Sequence, residues 1–152
     1  MDKQISKLEE KIKYEFKNKE LLKNALTHKT YAFEAKTPIE YNERLEYLGD
    51  SILGFLVAEQ LYKTNKYFSE GELTRRRSQL VNNNFLSEKA KELKLGDYIF
   101  LGKGEKLQNG FKNPTNLANA LEALIGAVYL DSDLKTARKF VMKNIFDEAK
   151  TF

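Results

Sequence analysis

The sequence predicts an all-α domain, and three observations support that fold class. Charged residues make up 32% of the 152-residue chain and only two prolines interrupt it, which favours helices with solvated faces over a sandwich of short strands. Leu8, Ile12 and Phe16 recur at helical spacing near the N-terminus. The segment from Asn42 to Tyr62 is helical in pattern with apolar residues around most of its circumference, as in a buried central helix.

The N-terminal third predicts two short amphipathic helices and a loop. The helices run from about Gln4 to Phe16 and from about Lys19 to Thr27, and the loop passes through residues 36–38. The only histidine, His28, follows the second helix, where we expect it to be structural and to close a helix end. With 41% hydrophobic residues the chain can bury one core, so we expect a single domain over residues 1–152.

The middle of the chain predicts one helix and then a loop. Ser69 followed three residues later by Glu72 is a capping-box pattern, which predicts a helix that continues to Ala90. The segment from Gly102 to Asn116 contains three glycines, a proline and several lysines. This composition is typical of a mobile basic loop.

The C-terminal part predicts two more helices. The segment from Leu117 to Leu130 is strongly apolar and predicts a second buried helix. Asp131 and Ser132 then offer caps for a last amphipathic helix over about Asp133 to Ala149. No internal repeat is present.

Composition excludes several kinds of site. The chain has no cysteine, which removes disulfides and thiolate metal sites, and its single histidine cannot build a two-histidine mechanism. A metal would therefore be held by oxygen ligands, which select Mg²⁺ or Mn²⁺. We expect a cytoplasmic protein without a membrane span or an organic cofactor. The net charge of +4 makes nucleic acid a plausible partner.

The central helix carries an unusual acidic stripe. Glu43, Glu46 and Asp50 are spaced i+3 and i+4, so they fall within about 60° of one another on one face. Like charges at this spacing repel. Such a stripe in a chain with 26 basic residues is a candidate cation site.

The second apolar helix has a similar polar strip. Asn119 and Glu122 are spaced i+3 in an otherwise apolar segment, where a lone carboxylate is costly to bury. If this helix packed against the central one, the two strips would meet, as in bundles that hold metals between facing carboxylates. From the residues alone, a solvated helix face and a metal site both remain open.

Several motifs together resemble a known family. The segment NERLEYLGDSILG, from Asn42 to Gly54, resembles the signature of the ribonuclease III family of double-stranded-RNA endonucleases. The resemblance extends through LTHKTYA, EGELTRRRSQLV, LGDYIFLGKGE and LANALEALIGAVYLD, nearly the whole chain. It implies an all-helical nuclease domain that works as a symmetric homodimer, with one metal site per subunit at the ends of an RNA-binding valley.

The resemblance also implies roles for particular residues. Those that match the family's metal-site and catalytic positions are Glu46, Asp50, Asn119 and Glu122. Glu43 and Glu70 match two further acidic positions that line the valley, and Tyr47 matches an aromatic residue that enters a socket on the partner subunit. Candidates for contacts with the RNA backbone are Arg75, Arg76, Arg77, Lys103, Lys106 and Lys112. Taken without the resemblance, the arginine triplet is more simply a solvated or ion-paired helix face.

The implied chemistry is hydrolysis of the phosphodiester bond with Mg²⁺ or Mn²⁺, which leaves a 5′-phosphate and a 3′-hydroxyl in ribosomal or messenger RNA processing. Asn119 departs from the family pattern, which has Asp there, so we expect weak or absent cleavage. The chain also stops at Phe152, where most members continue into a double-stranded-RNA-binding domain, so we expect weak, salt-dependent RNA affinity. The alternatives are a catalytically silent RNA-binding or scaffold dimer and, less favoured, a helical interaction module without RNA.

Overall fold

The computed structural model describes residues 2–152, apart from the side chains at positions 2 and 148. Over that range the chain is helical and contains no named β-strand, which confirms the predicted all-α class. The helices are α1 (Asp2–Ile12), α2 (Lys19–Leu26), α3 (Lys29–Glu34), α4 (Glu43–Thr64), α5 (Glu70–Val81), α6 (Asn83–Glu92), α7 (Lys103–Leu107), α8 (Pro114–Asp131), α9 (Leu134–Asn144) and α10 (Glu148–Thr151). Two 3₁₀ turns cover Leu95–Asp97 and Gly110–Lys112.

Helices α4 and α8 cross at backbone contact in the centre of the molecule. A Cβ atom added to Gly49 would lie 1.7 Å from the carbonyl oxygen of Glu122, and one added to Gly126 would lie 2.5 Å from that of Leu45. Only glycine allows so close an approach. Between Leu117 and Val128 every α8 residue except Asn119 is buried, so this crossing is the core of the fold.

The N-terminal region differs from its prediction in two places. Helix α1 ends at Ile12 instead of Phe16, because Lys13 turns the chain with a positive φ of 57° and the Phe16 amide donates to Glu9. The segment after α2 contains the short helix α3, which was predicted as part of a loop. His28 begins that helix by accepting from the Thr30 amide, which confirms its structural role at a helix end.

The helix predicted from Ser69 to Ala90 is in fact two helices. Ser69 and Glu72 form the predicted capping box of α5. Asn82 then separates α5 from α6: its Nδ2 donates to the Ser78 carbonyl oxygen at 3.0 Å, and its Oδ1 accepts from the Phe85 amide at 2.9 Å. One side chain therefore caps the end of α5 and the start of α6, which hydrophobic periodicity could not indicate.

The segment predicted as a basic loop contains α7 and the second 3₁₀ turn. Asn116 holds this segment, since its Nδ2 donates to Glu105 Oε1 and to the Gly110 carbonyl oxygen, both at 3.0 Å. Helix α8 then begins three residues earlier than predicted. Pro114 occupies its first turn and Asn113 caps it by accepting from the Asn116 amide.

The C-terminal helix is shorter than predicted. Asp133 caps α9 by accepting from the Thr136 amide, so the predicted caps Asp131 and Ser132 were wrong. Helix α9 ends at Asn144 and α10 is a separate turn. In the part of the chain that the structure describes, no helix has the length and apolar character needed to span a membrane.

Candidate metal centre

The two polar strips predicted from sequence meet at one open pocket of about 590 Å³. Helix α4 contributes its acidic stripe and the neighbouring Tyr47, and α8 contributes Asn119 and Glu122. The complete lining is Glu43, Glu46, Tyr47, Asp50, Asn83, Thr115, Asn119 and Glu122. The glycine contacts between α4 and α8 bring these strips together, because Gly49 packs directly on the backbone of Glu122.

Glu122 is the most buried acid in this pocket, with 5% of its surface exposed. Burial raises the pKa of its carboxyl group to about 9, and a hydrogen bond with Asp50 and repulsion from Asp50 and Glu46 act in the same direction. Near neutral pH the pocket therefore favours the protonated form of Glu122. A divalent cation would favour the charged form instead, since it would offset the repulsion from Asp50 and Glu46.

Glu46 is perturbed in the same direction. Burial raises the pKa of its carboxyl group, and the negative charges of Glu43 and Asp50 add to the rise. Asn119 relieves part of this cost in the amide orientation that we assign to it, in which the NH₂ group faces the two nearest acceptors. It then donates to Glu46 Oε1 at 3.1 Å and to the Thr115 carbonyl oxygen at 3.2 Å. Glu43, at the exposed edge, lies 3.7 Å from Lys29 Nζ.

The ligand types fit a hard divalent cation, because the pocket offers carboxylate and amide oxygens and lacks nitrogen or sulfur donors. The acidic side chains are not arranged as a ready-made metal site: among the side chains that the structure describes, no group of three or more His, Asp or Glu has the geometry to hold a metal. Bringing Glu46, Asp50 and Glu122 onto one cation would require side-chain rotation, including loss of the hydrogen bond from Asn119.

Comparison with known proteins decides the family. A family model described as Ribonuclease-III-like matches residues 18–149. The chain belongs to this ribonuclease-III-like family. It is 48% identical over 139 residues to Ribonuclease 3 of Vibrio cholerae, covering 91% of this chain and 59% of that protein. It is 44% identical over 147 residues to Ribonuclease 3 of Caldanaerobacter subterraneus, covering 95% and 64%. The chain thus spans about three fifths of the length of these curated relatives.

Solved structures show the same relationship. The nuclease domain of ribonuclease III from Campylobacter jejuni superposes with a TM-score of 0.87 at 40% identity, covering 93% of this chain and 95% of that domain. A Dicer from Pichia stipitis superposes with a TM-score of 0.61 at 29% identity, covering 84% and 53%. The predicted ribonuclease III fold is therefore confirmed.

The remaining predicted site residues lie outside the pocket of this ribonuclease-III-like domain. Glu70 is exposed at the start of α5. Arg75 and Arg77 are exposed on α5, whereas Arg76 donates to the Thr151 carbonyl oxygen at 2.7 Å and so helps to hold the C-terminal turn. The three exposed lysines of the α7 region are Lys103, Lys106 and Lys112.

Sequence reasoning missed two residues of the pocket. Asn83 is the first residue of α6, and it reaches the pocket only because the chain breaks at Asn82. Thr115 lies one turn before Asn119 on α8, in a part that was predicted as loop. The spacing of i−4 from Asn119 would have indicated Thr115 had the start of α8 been predicted correctly.

Proposed function

We propose that residues 1–152 form the nuclease domain of a divalent-metal-dependent endoribonuclease that cleaves double-stranded RNA. The observation that carries this proposal is the buried carboxyl of Glu122, which faces acids from another helix across an open pocket. A buried acid whose neighbours are acids has no structural use, whereas a cation would satisfy it. Family membership supplies the reaction class.

Each residue has a role in this proposal. Glu46, Asp50, Asn119 and Glu122 would hold Mg²⁺, or Mn²⁺ in its place. When bound, the ion would neutralise charge on the scissile phosphate and lower the pKa of the attacking water. Glu122 would give up its proton to solvent on binding the ion, and Glu43 and Glu70 would line the approach of the RNA. The products are a 5′-phosphate and a 3′-hydroxyl, consistent with processing of ribosomal and messenger RNA in the cytoplasm.

The nuclease proposal is tested with an end-labelled RNA duplex in Mg²⁺. We expect slow cleavage by the chain as it stands, none by Glu122→Gln, and cleavage at least about tenfold faster by Asn119→Asp, because a charged ligand strengthens the metal site. Equal rates for the chain and Asn119→Asp would refute the attenuation. Failure of every variant to cleave would refute the nuclease.

RNA affinity is assigned to exposed basic residues on α5 and near α7. The phosphate contacts are Arg75, Arg77, Lys103, Lys106 and Lys112. Arg76 belongs to the same motif, but its guanidinium already holds the C-terminal turn, so its contribution is smaller. Duplex binding in Ca²⁺ should weaken steeply as salt rises. A salt titration without loss of affinity would contradict these contacts.

We also propose that the chain acts as a homodimer through α4. Tyr47, Phe55 and Tyr62 are 78%, 51% and 75% exposed and fall on one side of that helix at 100° per residue. An exposed aromatic stripe of this kind is typical of an interface. Tyr47→Ala should shift the molecule toward monomer in sedimentation equilibrium. Tyr67→Ala is the control, since Tyr67 is 91% exposed and lies outside α4.

A second candidate is a catalytically silent dimer that binds double-stranded RNA. Asn119 favours it, because this residue is neutral and already donates to Glu46. The presence of five acids argues against it, because a dead site has no reason to retain side chains that repel one another: Glu43, Glu46, Asp50, Glu70 and Glu122. Duplex binding without any cleavage after restoring Asp at position 119 would establish the silent dimer. A module that binds no RNA would fail to bind the duplex in Ca²⁺.

A further inference from the structure

Asn119 faces two hydrogen-bond acceptors, the Thr115 carbonyl oxygen within α8 and Glu46 Oε1 on α4. Because both neighbours are acceptors, we assign the amide orientation in which the nitrogen faces them. In that orientation its NH₂ group donates to the Thr115 carbonyl oxygen at 3.2 Å and to Glu46 Oε1 at 3.1 Å. The carboxamide therefore presents to Glu46 a donor and not a ligand oxygen.

An ionised aspartate at this position could not donate these two hydrogen bonds. Its oxygen would stand 3.1 Å from Glu46 Oε1 and 3.2 Å from the Thr115 carbonyl oxygen, two acceptors with no hydrogen between them. Asn119 thus complements the pocket without a cation, whereas an aspartate would complement the pocket with one. Asparagine in place of aspartate therefore lowers the repulsion among the acids when no cation is bound, and it weakens the binding of a cation.

The charge available to a cation is correspondingly smaller. The four candidate ligands include three carboxylates and one neutral amide, in place of four carboxylates. To bind Glu46 fully, a cation must also break the hydrogen bond from Asn119. A further anionic oxygen, such as that of a backbone phosphate, would restore the missing charge.

We propose that Asn119 holds Glu46 in the cation-free site, and that a divalent cation binds tightly only together with an RNA duplex whose phosphate completes the ligand set. This inference rests on the proposed function, since it takes the duplex as substrate. Asn119 is then a positioning residue that acts through Glu46. Because coupling is reciprocal, the duplex raises cation affinity and the cation raises duplex affinity by the same factor.

The hydrogen bond is tested first by thermal unfolding without divalent cations. Asn119→Asp should melt about 3 °C or more below the unchanged chain because of the new repulsion. Asn113→Asp is the matched control: it adds the same charge at the N-cap of α8, outside the pocket, and aspartate can accept from the Asn116 amide as Asn113 does. Equal melting temperatures for the two variants would overturn the role of Asn119. This measurement does not depend on nuclease activity.

The coupling is tested by measuring bound Mn²⁺ with electron paramagnetic resonance, with and without a short RNA duplex, after subtracting Mn²⁺ bound by the duplex alone. For the unchanged chain we expect the duplex to tighten Mn²⁺ binding about tenfold or more. Asn119→Asp should bind Mn²⁺ about tenfold more tightly than the chain without RNA and gain less from the duplex. Glu122→Gln should show neither effect.

Two outcomes separate this inference from the nuclease proposal. Equal Mn²⁺ affinity of the unchanged chain with and without the duplex, together with cleavage of the labelled RNA, would overturn the coupling and leave the nuclease intact. Absence of both Mn²⁺ binding and cleavage in every variant would overturn the two together.

Discussion

Asp131 and Glu122 are acids on the same helix, about two and a half turns apart. Their surroundings shift the pKa values of the two carboxyl groups in opposite directions. Asp131 accepts from the Tyr14 hydroxyl at 2.6 Å, the Lys17 amide at 2.8 Å and the Asn18 amide at 2.9 Å. Burial alone would raise its pKa, but these hydrogen bonds lower it below the usual value. The same contact raises the pKa of Tyr14 to about 12, through burial first and then the bond to Asp131.

Glu122 receives no comparable set of donors. It is surrounded by Asp50 and Glu46, and its pKa rises to about 9. A carboxylate that serves stability is given donors from its own chain, whereas one that serves chemistry is left to be completed by something that binds. Asp131 is therefore a structural acid, whereas its helix neighbour Glu122 has the environment expected of the metal ligand that we propose.

The largest expected loss of unfolding free energy comes from a substitution that forces α4 and α8 apart. Gly49→Ala should lose about 3 kcal/mol or more of unfolding free energy, because its Cβ would overlap the Glu122 backbone. Gly54→Ala, on the same helix with nothing within 4 Å of the added atom, should instead gain about 0.5–1 kcal/mol. Chemical denaturation of the two variants measures the difference. Similar behaviour would mean that the close crossing does not hold the pocket together.

Removal of the Asp131 charge should have the next largest effect on the free energy of unfolding. Asp131→Asn should lower it by about 2 kcal/mol at neutral pH, because an amide cannot accept hydrogen bonds from all three donors. Tyr14→Phe, which removes one donor, should lower it by about 1 kcal/mol. Because the folded pKa of Asp131 is lowered, its contribution is present above the unfolded pKa and is lost as pH falls through the folded pKa. Denaturation at neutral and strongly acidic pH should show this loss. A penalty that persisted in strong acid would argue for packing instead.

Glu122→Gln should stabilise the fold, in contrast to Asp131→Asn. Without divalent cations the free energy of unfolding of the variant should be higher by on the order of 1–2 kcal/mol at mildly alkaline pH. The folded pKa is raised from 4.5 to about 9, so the unfolded chain ionises first and stability falls as pH rises across that range. The melting temperature of the unchanged chain should fall over this interval, while that of the variant should stay nearly level. If Glu122→Gln were destabilising throughout, Glu122 would be a structural acid like Asp131.

The smallest effect is stabilisation by metal. Protons compete with a cation for Glu122, so millimolar Mg²⁺ should stabilise the fold more near pH 9 than near pH 6. The expected difference in the free energy of unfolding is about 1 kcal/mol, seen as a larger rise in the melting temperature at the higher pH. Glu122→Gln should abolish the difference. Thermal scans with Mg²⁺ and with equal ionic strength of NaCl provide the control. An equal rise in both salts would reflect screening alone.

The long elements of this fold were predictable because their local signals agree. The helices at α2, α4 and α8 were identified from apolar periodicity, and the capping box located the start of α5. The short helices α3 and α7 were missed because long-range contacts help to hold them. The Gly102 amide donates to Thr30 Oγ1 and the Lys103 amide donates to Glu34, so each helix depends on the other. Neither has an apolar pattern long enough to detect.

The sequence by itself determined the two polar strips, since helical spacing places Glu43, Glu46 and Asp50 on one face of α4 and aligns Asn119 with Glu122 on α8. Only the tertiary structure decided that the strips face one pocket, because this depends on the backbone contact at Gly49 and Gly126. It also decided the state of each group. Ionisation and hydrogen bonding depend on burial and on neighbours from other helices, which linear spacing does not contain.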